Sequence, residues 1–216
     1  MPGQVRDVNS YTLAALVMKA GGQPVTFGIV SDKFEALQSM AIKALAECDL
    51  LVITAGSSAS TRDMTAEVIA SLGKPGVLVH GVNTRPGKPT ILGVCDGKAV
   101  IGLPGNPVSA LVNGYLFVVP LIERLLGALP RPQATLQATL TVNLASQAGR
   151  EDWWPVKLVP VTSSQGEQSQ RGFWRAEPIF GKSNLIFTLA AADGLLRIPA
   201  DATGLGAGEL VEVVLI

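Results

Sequence analysis

The pattern of apolar residues changes near residue 130, and this change limits the folds open to the chain. Before Leu129-Pro130-Arg131-Pro132, short apolar runs alternate with segments whose apolar residues recur every three or four positions. Such alternation of strands and helices is typical of an α/β layer. From 135 to 142, apolar and polar residues alternate one by one, as in a strand with one buried face. We therefore predict a three-layer, doubly wound α/β domain over 1–129 and a small all-β domain, a barrel or sandwich, over 132–216.

The elements of both domains follow from the same patterns. In the first domain, helices are predicted at 9–20, 34–46, 64–71 and 107–126, the last with Asn106 as its N-cap and a kink at Pro120. Strands are predicted at 25–30, 50–54 and 77–82, and as a hairpin at 90–94 and 98–101 around Asp96-Gly97. In the second domain, strands are predicted at 135–142, 156–161, 173–177, 185–189, 195–198 and 209–216, with a loop tip at 163–171.

The start of the sequence differs from that of an ordinary doubly wound domain. Such a domain begins with a central strand, whereas this sequence begins with a loop and a helix. A missing strand leaves unpaired backbone groups on its neighbours. We therefore expect the first strand to be missing and the sequence to be part of a longer protein.

Composition argues against several classes of function. The formal net charge is zero and Lys and Arg form no block, which argues against nucleic acid as a partner. Cys48 and Cys95 form no metal-binding pair and suit a reducing compartment. The longest apolar stretch, 111–126, contains Asn113, Pro120 and Glu123, so no membrane span is expected. With no secretory signal at the N-terminus, the predicted location is the cytoplasm.

Three loops in the first domain point to a ligand. They are TAGSSASTRD (54–63), RPGKP (85–89) and LPGNPVSA (103–110), and each follows or joins a predicted strand. Small residues let the backbone approach a ligand closely, and a helix N-terminus offers N–H groups to an anion. The ordered set predicts a site for a phosphate or another oxyanion.

With these loops, the chain resembles the molybdenum insertases, the MoeA-type enzymes related to the gephyrin E domain. The resemblance covers essentially the whole chain and is carried by GQVRDVNSYTLAALVMKAGG, ITAGSSASTRDMT, RPGKPTILG, GLPGNPVSALV and AAADGLLRIP…GLGAGELVEVVLI. It implies a Mog/MoaB-like pterin-binding domain at 1–129 and a β-barrel at 132–216. The implied activity is insertion of molybdate into adenylylated molybdopterin with release of AMP, assisted by Mg²⁺. Full-length members are homodimers with two further N-terminal domains.

The resemblance also implies roles for individual residues. Asp63 would be the catalytic residue that acts on the adenylyl phosphate through a metal or a proton, and Ser183 would bind the oxyanion from the barrel domain. The other substrate-binding residues would be Gly56, Ser58, Arg85, Lys88, Pro89, Pro104, Gly105, Asn106, Pro107 and Ser109.

Some positions depart from the family pattern. Ala55 and Ser60 stand where the family has glycine. An arginine of the barrel domain is replaced by Pro155, which leaves Lys157 or Arg150 as possible substitutes.

Each of these residues also has an ordinary structural interpretation. Asp63 could cap a helix at 64–71, and Lys88 and Arg85 could be solvated loop cations. His80 is predicted to have a packing role. The three tryptophans are predicted to be buried against the barrel core rather than stacked on a pterin; they are Trp153, Trp154 and Trp174.

Two other functions remain open at this stage. The chain could be a non-catalytic module that binds molybdopterin or molybdate, or a scaffold. The departures from the family pattern favour this interpretation. It could also be a Mog-like molybdopterin adenylyltransferase, although the second domain argues against that.

Overall fold

The structure is a computed structural model that describes residues 6–55, 59–129, 132–161 and 174–216, without the side chains of residues 55 and 59–63. The chain divides into two compact units. The first comprises Met1–Val82 and Gly87–Pro130, and the second comprises Asn83–Pro86 and Arg131–Ile216. The sequence analysis assigns residues 83–86 to the first domain, whereas in the structure they belong to the second unit.

The first unit is built on a four-stranded mixed sheet in the order β1-β5-β4-β2. β1 is parallel to β5, and β5, β4 and β2 are antiparallel neighbours. The elements are α1 (Asn9–Lys19), α2 (Phe34–Glu47), β1 (Leu50–Ala55), α3 (Ala59–Ser71), β2 (Pro75–His80), β3 (Thr84–Arg85, in the second unit), β4 (Ile91–Cys95), β5 (Lys98–Pro104), α4 (Pro107–Asn113), a π-helical turn (Gly114–Val118) and α5 (Val119–Leu125).

Hydrophobic clusters cover both faces of this sheet. One cluster packs α1 and the helix that begins with α4 against Ile101 and Leu103. The other packs α2 and α3 against Ile53 and Val100. Because successive strand residues point to opposite faces, the neighbours Val100 and Ile101 belong to different clusters. The unit therefore has the predicted three-layer α/β architecture.

The predicted strand at 25–30 is wrong. In the structure this segment has no strand conformation, and Val25 is 52% and Ile29 86% exposed. An apolar run forms a strand only where a neighbouring strand accepts its backbone hydrogen bonds. Among the described residues, β1 has such a neighbour on one side only, namely β5.

The helix after β5 differs from its prediction in two details. Asn106 precedes the first helical residue, Pro107, but its side chain makes no capping hydrogen bond. The helix widens into a π-helical turn at Gly114–Val118, just before Pro120. Proline lacks the N–H that would bond the carbonyl four residues earlier, so the irregularity lies where that bond is missing.

Within the described residues, Pro107–Leu125 is long and apolar enough to cross a membrane, with a mean hydropathy of 1.4. Its side chains pack against α1 and β5, and Ala110 and Val118 are fully buried. Packing in the core of the first unit therefore accounts for its apolar composition.

The second unit is a closed five-stranded β-barrel with β3 added at its side. The strands follow the order β10-β12-β6-β9-β8, and pairing of β8 with β10 closes the barrel. Its elements are β6 (Thr135–Leu140), β7 (Leu144–Ala145), β8 (Glu151–Pro160), β9 (Trp174–Pro178), α6 (Phe187–Ala190), β10 (Gly194–Ile198), β11 (Gly204–Leu205) and β12 (Leu210–Leu215). Alternate residues of these strands, such as Leu196 and Ile198, form the core.

Two segments of this unit differ from the sequence prediction. Residues 185–189 do not form a strand; α6 begins at Phe187, and both Leu185 and Phe187 are exposed. β8 begins at Glu151, five residues before the predicted start at 156. The charged Glu151 and Asp152 interrupt the apolar pattern in the sequence, but in the structure they pair with β3 and extend the strand. The loop predicted at 163–171 lies outside the described residues.

Candidate functional site

The RPGKP loop is fixed in the first unit through Gly87. This glycine is buried with φ +113°, and a Cβ placed on it would lie 1.7 Å from Nδ2 of Asn113. The Gly87 carbonyl accepts hydrogen bonds from the backbone N–H of Thr90 at 3.0 Å and from its hydroxyl at 2.8 Å. Asn113 in turn donates to the Ser109 carbonyl at 2.7 Å. Two of the three predicted loops, RPGKP and LPGNPVSA, are therefore joined through α4.

Lys88 projects from this fixed loop. Its carbonyl accepts a hydrogen bond from Val82 N–H at 2.9 Å, while its side chain is exposed. Pro89 beside it is half-buried. Within the described part of the chain, no carboxylate pairs with the Lys88 ammonium group. The cation is therefore held by its backbone and available to an anionic ligand.

The LPGNPVSA loop begins where β5 ends. Ala55 pairs with Pro104 in the parallel ladder of β1 and β5, so the chain leaves both strands at the same edge of the sheet. The Gly105 carbonyl accepts a hydrogen bond from Nδ2 of Asn9 at 2.9 Å. Pro107 starts the helix, and Ser109 is buried within its first turns.

Asn9 links α1 to this loop, and its removal should weaken the first unit. Asn9 is buried, so an Asn9→Ala variant would lose the bond to Gly105 and leave a half-buried carbonyl without that donor. We expect a loss of about 1–3 kcal/mol in the free energy of unfolding. Urea denaturation measures it, with Ser10→Ala as the control, since the Ser10 hydroxyl bonds Asp7, three residues earlier in the chain. Equal stability of both variants would contradict this role.

The first predicted loop is only partly described. Gly56 and Ser58, and the side chain of Asp63, lie outside the described residues. The backbone of α3 begins at Ala59, so Asp63 lies inside the helix rather than before it. The interpretation of Asp63 as the N-cap of a helix at 64–71 is therefore wrong.

In the second unit, Arg85 lies on β3, which pairs in parallel with β8 so that Arg85 is opposite Asp152. Nη1 of Arg85 is 3.6 Å from Oδ2 of Asp152, and the guanidinium carbon lies 5.4 Å from the centre of the Trp154 ring. Arg85 is therefore held by the barrel rather than solvated freely.

The two possible substitutes for the arginine at Pro155 are both engaged in ion pairs. Arg150 forms two hydrogen bonds with Asp152, at 2.7 and 3.1 Å. Lys157 donates to Asp193 at 2.9 Å. The backbone N–H of Leu158 and the Lys157 ammonium group lower the pKa of the Asp193 carboxyl from its ordinary value. Each cation thus already has a carboxylate partner.

Ser183 lies in a turn after Phe180 and is half-buried. The Phe180 ring meets the Trp154 ring edge to face, with 5.6 Å between their centres. Phe180 and Arg85 therefore share one neighbour in the barrel, and the Ser183 turn begins just beyond that contact.

The remaining aromatic and histidine predictions have different outcomes. Trp153 is buried, with 8% exposure, whereas Trp154 and Trp174 are half-buried and pack against the barrel core as predicted. His80 is exposed at the end of β2, so its predicted packing role is wrong.

Both cysteines are free thiols, and Cys95 is fully buried with Sγ 3.2 Å from the Ile69 carbonyl. Burial raises the pKa of the Cys48 and Cys95 thiols, which keeps them protonated at neutral pH. They therefore contribute no thiolate to a site.

The sequence analysis missed the polar residues that support these loops and side chains, namely Asn9, Thr90 and Asn113 in the first unit and Asp152 in the second. All are polar residues with little or no exposure. Polar residues within apolar runs are the one signal for them in the sequence, since a buried polar group requires a partner.

Comparison with known proteins agrees with this arrangement. Residues 1–124 match the family described as "Probable molybdopterin binding domain", and residues 137–216 match "MoeA C-terminal region (domain IV)". The crystal structure of a molybdopterin biosynthesis MoeA protein from Pyrococcus horikosii superposes with a TM-score of 0.81 at 37% identity, over 100% of this chain and 49% of that one.

Two curated relatives are both named molybdopterin molybdenumtransferase. The Nostoc protein is 40% identical over 129 residues, which is 58% of this chain and 29% of the relative. Molybdopterin molybdenumtransferase 2 of Mycobacterium tuberculosis is 30% identical over 217 residues, which is 98% of this chain and 51% of the relative. The chain thus spans about half the length of the Mycobacterium tuberculosis protein. Because both family models match it, one after the other along the sequence, the chain belongs to the MoeA-type family of molybdopterin biosynthesis proteins.

Proposed function

We propose that this chain forms the pterin- and oxyanion-binding part of a molybdenum insertase, which transfers molybdate into adenylylated molybdopterin and releases AMP. Membership of the family supports a role in molybdenum cofactor biosynthesis. The observation that carries the finer proposal is the joining of the RPGKP loop to α4 through Gly87 and Asn113. It holds the residue before Lys88 against Asn113, the last residue of α4.

The proposed mechanism is electrostatic. The Lys88 ammonium group would bind an anionic oxygen of the substrate. The N–H groups of Val108 and Ser109, in the first turn of α4, lack a side-chain cap and would donate to a second oxygen. Groups that are already fixed need not reorganise when charge develops during the reaction, which is why they stabilise a transition state efficiently.

Within the second unit, Arg85 and Ser183 are the proposed oxyanion-binding residues. A guanidinium group offers five N–H donors in a plane, and a serine hydroxyl can donate one more. The contacts of Arg85 with Asp152 and Trp154 support this role because they restrict the side chain before a ligand arrives.

A magnesium ion is proposed as the resident metal, with Asp63 as a ligand. When bound, such an ion would polarise the phosphoanhydride that is cleaved. Among the described residues there is no group of three or more His, Cys, Asp or Glu that could hold a metal, and the Asp63 side chain is outside them. We therefore derive no step from the metal. A cytoplasmic location and a homodimeric full-length protein belong to the same proposal.

A second candidate is a binding module without catalysis. It is favoured by the ion pairs of Arg150 with Asp152 and of Lys157 with Asp193, which leave neither cation unpaired to replace an arginine at Pro155. Such a module would bind molybdopterin or molybdate alone. An insertase should bind both together, and an adenylyltransferase should consume ATP.

Lys88→Ala tests the proposed site. We expect it to weaken binding of adenylylated molybdopterin roughly 10- to 100-fold, because a charge-assisted hydrogen bond is lost. Isothermal titration with and without molybdate and Mg²⁺ measures this. Lys43→Ala is the matched control, since Lys43 is an exposed lysine on α2. Equal affinities of the two variants would contradict the assignment of Lys88.

A further inference from the structure

A buried carboxylate, two guanidinium groups and an indole ring form one connected cluster in the second unit. Asp152 is fully buried, with 1% of its side chain exposed, and it contacts both Arg150 and Arg85. A buried charge is tolerated only where partners compensate it, so this cluster has a structural or functional reason.

The two guanidinium groups use this carboxylate differently. Arg150 binds both oxygens through Nε and Nη2 and has 26% of its side chain exposed. Arg85 reaches one oxygen through Nη1 alone, at 3.6 Å, and has 53% of its side chain exposed. Two cations share one anion, and the uncompensated positive charge therefore lies on the more exposed group, Arg85.

Trp154 supplies a second constraint on Arg85. Residues 152 and 154 lie on the same face of β8, because side chains alternate along a strand. The Arg85 guanidinium carbon lies 5.4 Å from the centre of the Trp154 ring, a cation–π distance. The ring is itself fixed against the barrel core and the edge of Phe180. Arg85 is thus held by one charge contact and one ring contact, and most of its N–H donors remain without a protein partner among the described residues.

We propose that Asp152 is a positioning residue which, with the Trp154 ring, holds the Arg85 guanidinium ready to bind a tetrahedral oxyanion. This inference rests on the proposed function, because it specifies how the second unit presents its cation. The ligand chemistry is that of a dianionic tetrahedral oxyanion, which molybdate and sulfate share.

Whether Asp152→Asn strengthens or weakens anion binding distinguishes a positioning role of Asp152 from a purely electrostatic one. The variant removes a negative charge next to a cation, which by Coulomb attraction alone would strengthen anion binding. If Asp152 positions Arg85, the same variant instead weakens binding, because the guanidinium loses its fixed orientation. We expect about tenfold weaker binding of inorganic molybdate.

The experiment compares molybdate and sulfate binding by calorimetry across a set of variants. Arg197→Lys keeps the charge of a barrel cation that pairs with Glu151 rather than with Asp152, and it should bind like the parent chain. Trp154→Leu should weaken binding without any change in charge, whereas Trp154→Phe keeps a ring. Trp154 Nε1 has no hydrogen-bond partner among the described residues, so Trp154→Phe removes no bond. Thermal unfolding shows whether each variant folds. If Asp152→Asn does not fold, Trp154→Leu still tests the proposal.

A ligand-free measurement separates this inference from the proposed function. The Nε–H resonance of Arg85, followed by ¹⁵N NMR, should report a restricted side chain in the parent and a mobile one in Asp152→Asn. Unchanged or stronger molybdate binding by Asp152→Asn, with Arg85 still restricted, overturns the inference and leaves the proposed function standing. If neither oxyanion binds the parent chain, both are overturned. Tighter binding of molybdate than of sulfate identifies the preferred ligand.

Discussion

Replacing Gly87 by alanine should destabilise the first unit by about 3 kcal/mol or more. Two costs add together. Alanine resists a φ of +113°, and its Cβ would lie 1.7 Å from Nδ2 of Asn113, which is fully buried. The loop cannot move away easily, because its carbonyl is held by Thr90. Urea denaturation measures the loss.

Gly97→Ala is the control for the backbone cost. Gly97 has a φ of +86°, but a Cβ on it would meet no atom within 4 Å. That variant should therefore lose only about 1 kcal/mol. Asn113→Ala should also recover part of the stability of Gly87→Ala, since it removes the overlapping amide. Equal losses for Gly87→Ala and Gly97→Ala would contradict the close packing of the loop on α4.

Much of the fold can be predicted because its elements carry complete local signals. α1 and α2 have regular apolar spacing, and the hairpin turn needs the positive φ angles that Asp96 and Gly97 adopt, 48° and 86°. The wrong predictions have a shared cause. Residues 25–30 and 185–189 are apolar enough for strands, but strand formation depends on a neighbour that the sequence does not specify.

Less of the candidate site can be predicted, because its anchors come from distant parts of the chain. Proline and glycine mark the RPGKP loop, but nothing in the sequence indicates that the amide of Asn113 covers Gly87. The bond from Asn9 to Gly105 spans 96 positions. The pairing of Arg85 with β8 likewise joins distant parts of the sequence. The domain boundary predicted near residue 130 assigns Arg85 and β8 to different domains. Loops can thus be recognised locally, whereas their supports require the tertiary structure.

Asp63→Asn should lower the rate of AMP release by roughly 100-fold or more, the size expected when one fixed electrostatic group is lost. The proposed reason is that an amide cannot replace a carboxylate as a metal ligand or proton acceptor. Because α3 begins at Ala59, the loss of an N-cap cannot explain such an effect. Pterin affinity and the unfolding midpoint should change little, since the substitution keeps the size of the side chain.

Single-turnover AMP release by the full-length protein, with molybdate and Mg²⁺, measures this prediction. Glu67→Gln is the matched control, because Glu67 is an exposed carboxylate on the same helix. A parent-like rate in Asp63→Asn would remove the catalytic assignment but not the binding site, which depends on Lys88 and α4. A slow rate in both variants would instead show that α3 tolerates no loss of charge. The proposed roles require two results together. Asp63→Asn alone must slow AMP release, and Lys88→Ala must weaken substrate binding; Lys88 is then the binding cation and Asp63 the reacting carboxylate.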